Sequence, residues 1–143
     1  MASFNKFQQF AEDLGLGVHN LNTHQLEIYC SNATPSASGD AVKADLAEIS
    51  TGNGYTGPQD IQNTYAESGG TGTVTGTAVT ITASGGSVGP FQYVVLQNTT
   101  PTSPADPLIG WWDRGAALTL SDGDSFTWKP NNSATTGSVL TIA

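Results

Sequence analysis

Apolar positions along the chain follow two rhythms, and the change between them marks the elements. Near the N-terminus Phe4, Phe7, Phe10, Ala11 and Leu14 recur at spacings of three and four. That spacing puts them on one face of a helix. Ser3 is placed to cap it, and Gly15 and Gly17 weaken it, so the helix is predicted to end near residues 15–20. Such a helix docks either on its own core or, as an arm, on a neighbouring subunit. Three Phe at a chain end that ordinarily frays keep both readings open.

From Leu26 the rhythm is mostly that of strands. Leu26–Cys30 alternates. Residues 31–40 form a Ser-, Ala- and Pro-rich loop, and residues 42–50 predict a short helix capped by Asp40, with Val42, Leu46 and Ile49 on one side. Gly52-Asn53-Gly54 stops it. Beyond Tyr55 the signals are β. Val79, Ile81 and Ala83 share one face, but Val74 has the opposite parity, which calls for a bulge or turn near Gly76. Pro90 opens the run Phe91–Leu96, which is apolar almost throughout; that pattern predicts a central strand buried on both faces. The three-proline stretch 99–107 is a loop, followed by a strand at Leu108–Trp112. Leu118–Leu120 and Phe126–Trp128 flank an Asp-Gly turn and predict a hairpin with Leu118, Leu120, Phe126 and Trp128 on its core face. A last strand spans Val139–Ile142.

About seven or eight short strands, with turn signals every ~8–12 residues, predict a mainly β, single-domain sandwich or small barrel with an N-terminal helix. Residues 1–20 are the helix or arm, and residues 21–143 are one compact unit. The 143 residues suffice for one buried core.

Charge narrows the partners. Lys and Arg number 4 against 12 Asp and Glu, a formal net charge of −8. Lys6, Lys43, Arg114 and Lys129 are too few and too scattered to neutralise a run of phosphates, which excludes nucleic acid as the expected partner. An anionic membrane surface is disfavoured for the same reason. No stretch approaches the ~18 apolar residues of a membrane span, and no secretory signal follows Met1. The expectation is a product of the cytoplasm that leaves the cell, if at all, by lysis. Three Asn-x-Ser/Thr sequences, at Asn32, Asn98 and Asn131, then read as chance. A single cysteine, Cys30, allows no internal disulfide.

Candidate chemistry is thin. His19, His24 and Cys30 match no structural-zinc spacing and lack a fourth ligand, so no metal is expected. Asp122 and Asp124 flank a turn glycine and are turn formers first. Asp106 and Asp113 bracket a Trp-bearing strand as a glycosidase pair would, but a raised-pKa partner in a cleft is also required. No nucleophile elbow, phosphate loop or His-Glu-x-x-His motif is present. No catalytic residue and no cofactor are expected. Trp111 and Trp112, as neighbours in a strand, point to opposite faces. One fills the core. The other is covered by a second layer or offered to a subunit or a sugar. Phe4, Phe7, Phe10, Trp111 and Trp112 are therefore the candidate interface residues.

Several segments resemble a widespread group of tailed-bacteriophage virion proteins: Phe4–Phe7, Ala47–Ile49, Gly52–Tyr55, Thr80–Leu96 with its Ala83-Ser84-Gly85-Gly86-Ser87-Val88-Gly89-Pro90-Phe91, Asp106–Asp113 and the closing Leu140-Thr141-Ile142-Ala143. The likeness covers nearly the whole chain. It implies a structural, non-enzymatic particle component, most simply a capsid decoration or cement protein on the outer surface of the virion. Its partners would be the major capsid protein and copies of itself in a symmetric oligomer. A neck, tail or fibre-linked protein is the alternative, and a carbohydrate-binding sandwich using Trp111 or Trp112 is the second. Repulsion between a −8 domain and packaged DNA favours the outer surface.

Overall fold

The apolar run ending at Leu96 occupies the middle of the largest sheet. The computed structural model describes residues 2–143. In chain order these form β1 (Phe4–Lys6), α1 (Gln8–Gly15), β2 (Leu26–Ser31), β3 (Gln59–Asp60), β4 (Thr64–Ser68), β5 (Thr71–Thr77), β6 (Val79–Thr82), β7 (Val88–Asn98), β8 (Leu108–Leu120), β9 (Ser125–Trp128) and β10 (Thr136–Ile142). The fold is mainly β, with one helix near the N-terminus and antiparallel sheets throughout, consistent with a small sandwich or barrel. One sheet has the order β1-β8-β7-β2-β3, a second β10-β5-β4, and β6-β9 form a two-stranded ribbon.

Successive β7 residues point to opposite faces, so a strand apolar on both needs cover on both. Val94 and Leu96 join Leu26, Ile28, Ile109 and Trp112 on one face, which packs on Val74, Val139 and Leu140 of the second sheet and Trp128 of the ribbon. Tyr93 and Val95 join Tyr29 and Leu108 on the other, where Phe7 and Leu46 provide the cover. A third cluster, with Phe91, Val88, Leu120, Ile81, Ala83, Cys30 and Tyr55, closes the end near the ribbon.

Five expectations are corrected. The N-terminus is not helical from Ser3. Phe4, Asn5 and Lys6 pair with Trp112, Trp111 and Gly110, and the helix begins only at Gln8, after Phe7 in an extended conformation. A free sheet edge offered those residues ladder bonds that a first helical turn lacks. Residues 42–50 are not a helix but a single 3-10 turn at Lys43–Asp45 and an extended stretch. Their backbone is claimed by β2. The Tyr29 hydroxyl donates to the Leu46 carbonyl, the Ser31 hydroxyl donates to the Ala47 carbonyl, and the Ile49 amide donates to the Cys30 carbonyl.

The predicted 118–128 hairpin does not form. Leu118 and Leu120 pair with Phe91 and Val88, whereas Ser125–Trp128 pairs with Thr82–Val79. The Asp-Gly turn is real, with the Asp124 amide donating to the Ser121 carbonyl, but it is a corner that hands the chain from one sheet to another. Leu120 and Trp128 are buried in different clusters. The segments 108–112 and 118–120 belong to one strand, β8. Ten strands form among the described residues rather than seven or eight, the surplus including the Thr- and Gly-rich hairpin β4–β5 turned at Gly69 and Gly70, whose φ values are 59° and 88°.

Other readings hold. β2 and the 99–107 loop lie where expected, while β7 and the closing strand cover the predicted runs but begin earlier, at Val88, which puts Pro90 inside β7, and at Thr136. The parity break near Gly76 is the passage at Ala78 from β5 to β6, which belong to different sheets.

Gly110 reports on the N-terminal pairing. A Cβ there would meet the Phe4 ring and the Asn5 carbonyl, so β1 would have to move. Gly110→Ala is expected to destabilise the fold by about 1–3 kcal/mol and to alter Trp112 emission in the native state, measured by urea unfolding followed through Trp fluorescence.

Candidate functional site

The five aromatic candidates meet at one edge of the large sheet. Phe4 lies against Trp112, ring centroids 5.3 Å apart, and Phe7 against Trp111 at 4.6 Å. The two Trp do face opposite ways, and the N-terminal segment straddles the edge to cover both. Phe7, Phe10 and Trp112 are 0%, 3% and 4% exposed, and Phe4 and Trp111 are half-buried. These rings pack into the chain's own core, where its two apolar faces meet at the edge of the sheet. Trp112 presents no open face, while Trp111 is half-buried beside Phe7. Leu16, 71% exposed, is the one large hydrophobic side chain left to solvent among the described residues.

Polar side chains inside the protein stitch loops to strands. The tight turn Gly52–Tyr55, closed by reciprocal backbone bonds of 2.8 and 3.0 Å, aims Tyr55 inward. Its hydroxyl donates to Glu48 Oε2 at 2.6 Å and accepts from the Cys30 amide at 3.0 Å. Glu48 Oε1 accepts from Lys43 Nζ at 2.9 Å, the one ion pair among the described residues. Burial first, and then the Glu48 charge, push the Cys30 thiol up to about 12. A thiol held protonated is no nucleophile, and this network is a clasp holding residues 43–55 on β2.

His19 and His24 do come together, around Asn98 rather than Cys30, which lies in another cluster. Asn98 Nδ2 donates to Nδ1 of His19 at 3.0 Å and of His24 at 2.9 Å, and Asn98 Oδ1 accepts from the Thr100 amide. Both imidazoles thus accept at Nδ1 and carry their proton on Nε2. Asp13 of α1 is buried nearby, its Oδ1 accepting from Gln9. Burial pulls His19 down to about 4, with Asp13 opposing the shift and His24 adding to it.

The carboxylate pairs resolve into turn and bulge formers. Asp122 accepts from the Gly85 amide and Asp124 from the Ser121 amide. Asp113 accepts from Gln92 Nε2 and the Gly115 amide, which hold its carboxyl below the usual range. That direction is opposite to what a general acid needs. Asp106, with φ 49°, lies in the loop before β8, its carbonyl accepting from the Lys43 amide. No group of three or more His, Cys, Asp or Glu side chains able to hold a metal ion occurs among the described residues.

The feature that sequence reasoning missed is a slot between β8 and β9, about 430 Å³ in volume and lined by Trp112, Arg114, Phe126, Trp128 and Lys129. Trp112 and Trp128 meet edge-to-face at its base, centroids 5.2 Å apart. The hairpin expectation hid it, because that pairing would have set Phe126–Trp128 directly against residues 118–120.

The His19 environment sets a pH dependence. Above pH ~6.5, the ordinary value, His19 is neutral folded and unfolded. As pH falls from there to about 4, the unfolded chain takes up the proton first, so stability is lost across that window and levels off below it. An imidazolium would also turn Nδ1–H against the Asn98 amide donor. His19→Asn is expected to flatten the curve between pH 6.5 and 4 by up to about 3 kcal/mol, read as the difference between wild-type and variant urea-unfolding free energies across that range.

No protein-family model, no curated protein and no solved structure matches the chain.

Proposed function

We propose that the chain is a non-enzymatic structural component of a tailed-phage particle, a capsid decoration protein that binds the outer surface of the major capsid subunits. The reading rests on the likeness read from the sequence in segments from Phe4–Phe7 to Leu140–Ala143. The chemistry of the molecule supports it. Its buried ionisable and polar groups fasten loops to strands: Glu48 and Tyr55 on one side, Asp13, His19 and Asn98 on the other. None of them is poised as a nucleophile or a general acid.

The surface is acidic and rich in hydroxyls and glycine, with a single large apolar side chain exposed among the described residues. Contacts with a shell would then be polar and modest singly, and gain strength from the many copies that a symmetric lattice presents. A net charge of −8 suits the outside of a head better than its DNA-filled interior.

Quantitative mass spectrometry of purified particles tests the reading. A decoration protein is expected at a copy number comparable to that of the major capsid protein, and particles stripped of it are expected to rupture at lower temperature. A few copies per particle would instead make it a neck or tail part, and absence from particles would overturn the virion reading.

A further inference from the structure

The slot between β8 and β9 has the makings of a binding site that the decoration reading does not use. Two strand edges border it. β9 is laddered only to β6. Among the described residues β8 is laddered to β1 only through Gly110–Trp112, and its outer edge has no ladder partner from Asp113 onward. Between Asp113, opposite Tyr93, and Leu118, opposite Phe91, β8 carries four residues against the single Gln92 of β7. This large bulge turns Arg114 back toward the slot. Its Nη1 donates to the Ala116 carbonyl at 2.8 Å, and its guanidinium carbon stands 5.9 Å from the Phe126 ring centroid. Bulges beside open edges commonly re-aim a side chain in this way.

The charge of the slot runs against that of the molecule. Of four Lys and Arg in a chain with 12 carboxylates, two, Arg114 and Lys129, line this one slot, against the single carboxylate of Asp113, which is engaged by Gln92 and the Gly115 amide. Neither has a carboxylate within ion-pairing distance among the described residues, where Lys43–Glu48 is the one pair. Two cations without an ion-pair partner, brought to one slot, attract an anion more strongly than the same charges scattered over the surface. At the base, Trp128 Nε1 is buried without a hydrogen-bond partner among the described residues.

We propose that the slot is a docking site for an extended, acidic segment of a partner polypeptide, which lies between β8 and β9 and adds to their free edges. Free strand edges recognise backbone, which favours a polypeptide over other anions. Arg114 and Lys129 select acidic side chains, and the half-buried Phe126 ring takes an apolar one. An acidic sugar fits less well: Trp112 and Trp128 are 4% and 3% exposed, so neither offers a face for stacking. The inference concerns the slot alone and stands or falls apart from the virion reading.

Selection of a random octapeptide display library on the immobilised full chain tests it. The expected result is a set of sequences rich in Asp, Glu and β-forming residues that quench or shift Trp emission. Their affinity is expected to fall roughly tenfold in the Arg114→Gln/Lys129→Gln variant, the scale of two lost exposed charged contacts. Both side chains are exposed, so the variant should melt with the parent. The Arg114→Glu/Lys129→Glu variant is expected to select basic sequences instead. Selected peptides without an acidic excess, equal binding to the Gln variant, or displacement of the peptides by glucuronic acid at comparable concentration would each overturn the proposal, as would a library that yields no binder.

Discussion

Tyr93, Val94, Val95 and Leu96 leave β7 no face for water, and the rest of the molecule answers to that constraint. A strand with one polar face needs a single covering layer, but this one needs two. The second sheet and Trp128 cover the Val94–Leu96 side. No second sheet remains for the Tyr93–Val95 side, so an irregular segment, 43–50, is laid across it through Leu46. Loops over a core leave backbone groups to be satisfied. The Tyr29 and Ser31 hydroxyls do this for the Leu46 and Ala47 carbonyls and the Tyr55 hydroxyl for the Cys30 amide, with Glu48 holding Tyr55 in turn, which accounts for the concentration of buried polar chemistry on that side.

The same constraint explains the N-terminus. At the outer edge of β8 the two covered faces converge on Trp111 and Trp112, and one short segment closes both, Phe4 on one ring and Phe7 on the other. α1 then fits over the first core through Phe10, and the His19–Asn98–His24 cluster ties the following loop to the end of β7. Aromatic rings at a chain end, a common sign of a docking arm, here serve the interior. What is left for partners is the polar exterior and the free edges beside the slot.

Much of this was legible in the pattern of residues. Fold class, the central position of β7, the opposed Trp pair and the break between Val74 and Val79 all follow from period-two alternation, a local signal that survives packing. The failures share one cause. Phe4–Leu14 has helical spacing and residues 42–50 have helical caps, but both lie where an open sheet edge or an uncovered face supplied better partners for the backbone. The Asp-Gly turn at residue 123 has the local chemistry of a hairpin, yet its flanks found longer-range mates in Val88–Phe91 and Val79–Thr82. Pairing across the chain is not written in a four-residue turn. The slot was invisible for that reason, since it exists only because β8 and β9 do not pair. The roles of His19 and His24 were hidden too, because their common partner Asn98 is more than seventy residues away.

The account rests on the N-terminal segment being part of the core that β7 demands. The Phe7 amide, which donates to the Ile109 carbonyl at 3.1 Å, reports on it directly in native-state hydrogen exchange. If the account is right, this amide exchanges only through global unfolding, with the same opening free energy as the amides of Val94, Val95 and Leu96. Exchange of Phe7 at the rate of a frayed terminus, while β7 stays protected, would contradict it.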